Sequence, residues 1–450
     1  MKKLKILSIL LALTLVFTFI AACGGEAAPE PVPTPQPTPT PAPTPAPGTN
    51  DPVPLPAPID PDPVTLKWAV WDIEMVAYYA PLIEAYKNIA PHVTIEMVDL
   101  GATDYENILQ TQLLGRTGEY DLIKMRGIPQ YVSNTNADLL MELDDFLPGS
   151  SIDLANYMGM PEHYMAASNA LYALPFRADF WVVFYNKDLF DAAGVDYPTN
   201  EMTFDAWVEI IKAVTQGSGQ DKVYGNQFHW WRSTVTLFGI LDGTTDLGNP
   251  DYGWMAHYYE AVIELEDGGY VPRRTDNQAG NIHHRMRWFP EEIAQVNMGT
   301  WFITEAVEQD FNWGMAAYPV PSSQYYGNTI GGVTQLSIPR DAPNPQEAFN
   351  FIEFVCGAEG AALLAGVGQF PAFITDEALG IITSMPGFPQ DANTIAAMQP
   401  KAIFLEQPII PEAGELSAIL DEGHQEIMDR TMSIEDAIKM MEDRVRQLMG

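Results

Sequence analysis

The sequence predicts an α/β protein of two lobes, and three observations predict it. Residues 64–125 run through strand, helix, strand, helix and strand patterns, the order that builds a parallel sheet with helices on its faces. The stretch 64–450 is rich in aromatic and apolar residues but too long for one core of ordinary size, so it divides. The residues before it carry 16 of the 37 prolines between Pro29 and Pro63 and cannot bury a core, which confines the fold to 64–450.

Taken in order, the chain opens with a basic start (Lys2, Lys3, Lys5) and an uncharged apolar run, Ile6 to Ile20. The small residues Ala21 and Ala22 then precede Cys23. Basic, apolar and small segments in that order describe a secretory signal over 1–22, and the run is shorter than a spanning helix needs. Ile20-Ala21-Ala22-Cys23 resembles the bacterial lipobox, which makes Cys23 the expected lipidation site and new N-terminus. Residues 23–63 then form a semi-rigid tether reaching at most on the order of 120 Å. The other cysteine, Cys356, lies in the apolar run FIEFVCGAEGAALLA and is expected to be a small core residue.

Within the folded region, VTLKWAVW (64–71) reads as a first strand. A helical pattern runs from Met75 to about Ile89 and stops before Pro91. HVTIEMVDL (92–100) is a second strand by its β-branched content. Asp104 can cap a helix with Tyr105, Ile108, Leu109 and Leu113 on one face, and YDLIKM (120–125) is a third strand. Phe180 to Tyr185 is apolar without a period, as for a buried strand. MTFDAWVEIIKAVT (202–215) is an amphipathic helix capped by Thr203. Strands are expected at 293–302, 313–321 and 331–339, and helices at 345–356 and 359–365. Ser433 and Asp436 form a capping box for a last helix with Ile434, Ala437, Ile438, Met441, Val445 and Leu448 on one face. No internal repeat is evident.

The formal charge of −36 at pH 7 argues against nucleic-acid binding, since an acidic surface repels phosphate backbones. No P-loop, GxSxG, HExxH or EF-hand pattern is present. His283-His284, adjacent in HHRMRW without cysteine or carboxylate spacing, reads as a solvated loop rather than a metal site. Asp144-Asp145 and Glu291-Glu292 read as solvated faces. No cofactor and no metal are expected.

Four blocks carry a resemblance. LIEAYKNIAPHVTIEMV is similar to a helix followed by P-x-V-x-V. ALYALPF…WVVFYNKDLFDAAGV…MTFDAWVEIIKAVT is similar to Y-G-L-P…YNKDLF-x-x-AG…TWDEF. EEIAQVNMGTWF and GGVTQLSIPRDAPNPQEAFNFIEFV are similar to a G-x-W strand and a GG…F-I-x-F block. Together they resemble the family-1, carbohydrate-type extracellular solute-binding proteins of bacterial ABC importers, the group of maltose-binding protein. Met202-Thr203-Phe204 and Gln295-Val296-Asn297-Met298 depart from the usual residues. The resemblance implies a two-lobed periplasmic-binding-protein-like fold of type II. Each lobe would be a mostly parallel sheet flanked by helices, and crossing strands near YALPF, GGVTQ and GQFPAF would hinge them. Lobe one would be 64–175 plus 329–370, and lobe two 176–328 plus 371–450. It further implies a monomer on the outer face of the cytoplasmic membrane that captures a carbohydrate, most simply an oligosaccharide, and hands it to permease subunits.

A sugar offers apolar C–H faces and a rim of hydroxyls, so its site needs flat rings and multidentate polar groups. Trp71 ends the first strand, where ligands sit in such sheets, or packs in the core. Trp230 and Trp231 are adjacent in an extended segment and cannot both face one core, so one should be exposed. Trp301 is the Trp of the G-x-W strand, which the resemblance implies stacks on sugar. Asp104, Arg126, Arg177 and Asp179 lie at strand or hinge ends, although Asp104 could be a helix cap and Arg177 could pair with Asp179. Gly332 would let backbone approach a ligand or turn the hinge. Glu415 falls where relatives place a late contact. A polyamine or other non-sugar solute is the alternative in the same class, and arginine at 126, 177 and 232 argues against it and for an acidic saccharide. A surface glycan-degrading enzyme is the alternative in another class, but it needs two spaced carboxylates and no candidate pair stands out.

Overall fold

The computed structural model describes residues 62–74, 76–101, 105–157 and 170–450. The signal, the tether, Cys23 and Asp104 lie outside the described residues.

Parallel strands β1 (Val64–Val70), β2 (Val93–Asp99) and β3 (Leu122–Met125) form the first sheet with β1 in the middle. The intervening helices are Tyr79–Ile89 and Tyr105–Leu114, so the opening alternation is as expected, with the first helix starting four residues late. Trp68, fully buried on β1, meets Tyr79 and Phe351 edge-on at 5.2 and 5.4 Å, tying the sheet to helices on its face.

β4 (Leu174–Asn186) is a single strand of 13 residues, buried at every position but Arg177. Its first half pairs antiparallel with β7 (Asn328–Ser337), from Leu174 opposite Leu336 to Phe180 opposite Gly331. Its second half, from Trp181, pairs antiparallel with β5 (Gln295–Gly299) and β6 (Trp313–Ala317). β7 in turn meets β3 at one end and β8 (Ala402–Leu405) at the other. A register shift between Pro175 and Arg177 breaks the β4–β7 ladder, and the chain at 370–372 fills in: Ala178 N–H donates to Phe370 O and Ala372 N–H to Phe176 O, at 3.1 and 3.0 Å. Bulges re-aim side chains, and this one lies beside Arg177. Three segments, near YALPF, GGVTQ and GQFPAF, therefore meet along the first half of β4.

Around β4–β6 the parallel neighbours are isolated bridges only, such as Tyr224 to Ile293 and Thr203 to Val320, while the named strands pair antiparallel. One buried cluster runs from β1 through β4 to the helices Pro345–Cys356 and Ala358–Gly366; a second centres on Trp207, Phe238, Tyr258, Tyr318 and Met441. Cys356 is buried and unpaired, and burial pushes its thiol well up. The local signals hold. Thr203 Oγ1 accepts from Ala206 N–H at the start of Phe204–Val214. Ser433 Oγ accepts from Asp436 N–H at the start of Ile434–Met449, whose face of Ala437, Ile438, Met441 and Val445 is buried.

Candidate ligand-binding site

Two adjoining cavities open along β4, the first beside the GGVTQ segment. The first, about 430 Å³, is lined by Arg126, Arg177, Asp179 and Gly332, and the second, about 460 Å³, by Trp230, Trp231, Arg232 and Asp421. Trp301, Glu406 and Gln407 line both.

Trp301 stands at the junction because β5 ends at Gly299 and the chain turns through Thr300–Phe302. Its ring folds back over Gly299, where a Cβ would come within 1.9 Å of it. The glycine of the G-x-W pattern is thus a steric requirement of the tryptophan. The same ring meets Trp181 edge-on at 5.6 Å. The strand expected over 293–302 is shorter than its sequence pattern for this reason.

In the first cavity, Arg177 Nε lies 3.1 Å from Asp179 Oδ2, Arg177 Nη1–H donates to Gln369 at 2.9 Å, and Thr300 hydroxyl donates to Asp179 at 3.3 Å. Burial raises the Asp179 carboxyl, and the Arg177 guanidinium pulls the other way. The two residues pair with each other and both line the cavity. Gly331 and Gly332 differ in kind. A Cβ on Gly331 would lie 2.5 Å from the Asp179 carbonyl oxygen, whereas one on Gly332 would meet nothing within 4 Å. Gly331 permits close strand packing, and Gly332 faces open space.

Trp71 does not line either cavity. Arg126 sits over its ring at 4.7 Å and Lys124 Nζ at 3.3 Å, so Trp71 acts as a shelf behind Arg126. Lys124 is fully buried, reaches Tyr78 hydroxyl at 2.8 Å, and is brought down to about 5 by burial and then by Arg177 and Arg126. Glu415 is exposed in the first turn of the helix Ala413–Met428 and lies outside both linings.

The second cavity is held from behind. The Trp230 carbonyl accepts from Arg274 Nε–H at 3.3 Å and lies 3.2 Å from His424 Nε2, while Thr234 hydroxyl ties back to the carbonyls of His229 and Trp231, both at 2.8 Å. Burial lowers His424 to about 3, so it is neutral and can donate. Trp231 is 37% exposed and Trp230 half-buried, so one ring is exposed as expected, although the chain bends at both residues rather than running extended. Arg232 is 6% exposed. Its Nε–H donates to Asp421 at 2.9 Å, and its Nη1 is buried without a protein partner.

Sequence reasoning missed Glu406, Gln407, Asp421 and Arg274. Glu406 follows β8, a four-residue strand with too little apolar pattern to declare itself, and the polar pair after AIFL is the signal that could have found it. Glu406 accepts from Trp181 Nε1–H, and burial raises its carboxyl. The solvated-loop reading of His283-His284 fails at His284, which is 7% exposed because its ring packs edge-on against Phe302 at 4.8 Å.

Comparison with known proteins places this architecture. Residues 68–362 match the family of bacterial extracellular solute-binding proteins. A sugar transporter from Rhizobium etli, solved in an open conformation, is 38% identical, with a TM-score of 0.78 over 85% of this chain and 99% of that one. An ABC substrate-binding protein from Listeria monocytogenes in complex with cycloalternan is 17% identical, with a TM-score of 0.73 over 86% and 100%. The sugar-binding protein MalE from Xanthomonas citri is 18% identical, with a TM-score of 0.70 over 85% and 97%; these last two speak for the fold alone. The chain belongs to the bacterial extracellular solute-binding protein family and has its two-lobed, type II periplasmic-binding-protein-like fold.

Proposed function

We propose that the protein is a lipid-anchored receptor that captures an oligosaccharide in the two joined cavities and delivers it to the permease of an ABC importer. The observation that carries this reading is Trp301, an indole at the junction of two cavities whose other walls offer guanidinium, carboxylate and amide groups. A flat ring suits the C–H face of a sugar, and planar multidentate groups suit its hydroxyls. Each cavity lies within the roughly 300–1,000 Å³ of small-molecule sites, and their continuity favours more than one sugar ring. The Rhizobium protein, described as a sugar transporter, points the same way.

The proposed lobes, 64–175 with 329–370 and 176–328 with 371–450, move about the three joining segments. Ligand that touches both favours the closed form, a population shift that the permease then reads. An affinity near micromolar, about −8 kcal/mol, suits capture and release. Two of the three carboxylates in the linings do not favour a polyamine, since Asp179 is held by Arg177 and Asp421 by Arg232.

A thermal-shift panel of neutral oligosaccharides, acidic oligosaccharides and polyamines tests the ligand class, because binding to the native form raises its melting temperature. A saccharide should raise it and be recovered uncut. A shift with polyamines alone, or cleavage of the saccharide, would falsify the reading. Incorporation of a labelled fatty acid that disappears in Cys23→Ala tests the anchor.

A further inference from the structure

We propose that His229, His283 and His284 form a binding site for a divalent transition metal of the zinc class, behind the aromatic wall of the second cavity. Among the described residues they are the one group of three whose ligand atoms gather, and all lie within 4.8 Å of one another. His229 Nε2 and His283 Nδ1 are 3.4 Å apart. Two imidazole nitrogens on a tetrahedral zinc, each bonded at about 2.0–2.1 Å, stand about 3.3 Å apart.

A second observation is independent of that spacing. His284 is 7% exposed, and both of its ring nitrogens are buried without a protein partner. The nitrogen it turns to the cluster is therefore one of these. His229, 1% exposed, also has an unpartnered Nδ1. A buried polar atom left unsatisfied costs about 1–3 kcal/mol, and three such atoms on adjoining rings call for an explanation. Coordination accounts for the His284 nitrogen turned to the cluster, because each imidazole gives a metal one lone pair and His229 meets the cluster through Nε2.

The donor set fits this class of ion. Neutral imidazole suits zinc, copper, nickel and iron, whereas calcium and magnesium require oxygen. The Arg285 guanidinium beside His283 and His284 opposes a dication there, and coordination must overcome that repulsion. Three protein ligands leave a fourth position for water. None of the three histidines lines either cavity, so this site is separate from the saccharide site.

Isothermal titration of the full chain, free of any histidine tag and stripped with chelator, against zinc chloride tests this. One zinc per chain should bind saturably, and cobalt in its place should give the visible absorption of a tetrahedral ion. His283→Ala and His284→Gln should each weaken zinc at least tenfold, while His257→Ala, at an exposed surface pair with Asp205, should leave it unchanged. His283→Ala, at a half-exposed position, keeps the test alive where a His284 variant fails to fold. Absence of one-to-one binding, or binding indifferent to His283→Ala, overturns the proposal.

Discussion

The wall of the first cavity is carried by strands, with Arg177 and Asp179 on β4 and Gly332 on β7. The wall of the second hangs on the segment Trp230–Arg232, which owes its position to Arg274 and His424 behind it. The charges differ accordingly. Arg177 is engaged by Asp179 and Gln369, and Asp179 by Thr300 as well. Arg232 is engaged on one side only, by an Asp421 that is itself 60% exposed, and keeps a buried nitrogen without a partner. The strand-built wall is the more fully engaged and sets shape, although Arg177 Nε, 3.1 Å from Asp179, is also buried without a hydrogen bond. The loop-built wall holds unused hydrogen-bonding capacity, which is where a ligand gains most.

The largest effect should come from breaking the scaffold of the strand wall. Gly331→Ala sets a methyl 2.5 Å from the Asp179 carbonyl oxygen and 2.7 Å from Ile403, both in the sheet, so relief requires β4 and β7 to part. We expect a loss of about 2 kcal/mol or more in stability. Gly332→Ala, one residue on, meets nothing and should unfold within about 0.5 kcal/mol of the parent. Its methyl enters the first cavity, so it should weaken ligand instead. Denaturant unfolding of the two variants side by side separates the roles, and equal stabilities would mean that the strands are not so closely packed.

Trp301→Ala tests the residue that both walls share. Saccharide binding should fall at least tenfold, about 1.4 kcal/mol, with the protein still folded. Unchanged affinity in titration calorimetry would remove Trp301 from the site and leave the two cavities unconnected in function.

The two walls were not equally readable from sequence. The strand wall was largely legible: period and β-branching set β1 to β3, the unbroken apolar run set β4, and strand and hinge ends pointed to Arg177, Asp179 and Gly332. The length of β4 was not, since a strand that changes partners midway shows no break at Trp181. Of the loop wall only the tryptophans announced themselves. Asp421, Arg274 and Glu406 reach the site from 189, 42 and 174 residues away from Arg232 along the chain, and no local period encodes such pairing. Trp71 was placed at the right strand end, but it lines neither cavity, because Arg126 and Lys124 lie over its ring. The histidine group was half visible, because His229 joins His283 and His284 only through the fold.

A smaller effect should come from the loop wall. Arg232→Met keeps the length and apolar stem of the side chain but removes the unpartnered Nη1. One lost hydrogen bond is about 1 kcal/mol, roughly fivefold in affinity. The loss should be greater for an acidic than for a neutral oligosaccharide, since a carboxylate accepts the stronger bond. The corresponding change in the strand wall, Arg177→Met, should instead cost stability first, because it leaves Asp179 buried without its cation. Calorimetric affinities together with melting temperatures for the pair would show the contrast, and the same pattern in both would erase it.

The smallest effect is electrostatic and lies at the carboxylate common to both walls. Burial raises Glu406, and the nearby Asp179 carboxylate raises it further, against the hydrogen bond from Trp181 and the charge of Arg232. The folded value therefore lies above the unfolded one. Below the ordinary glutamate range both states hold the proton, and nothing is lost. As pH rises toward the folded value, the unfolded chain releases its proton first, and the native state loses stability until Glu406 ionises there too. Glu406→Gln keeps an oxygen to accept from Trp181 and carries no charge at any pH. Its melting temperature should match the parent at acid pH, rise above it as pH increases through that window, and hold a constant lead beyond. A lead of the same size at every pH would mean that the substitution acts through packing, and that the carboxylate is as well solvated in the cleft as in the unfolded chain.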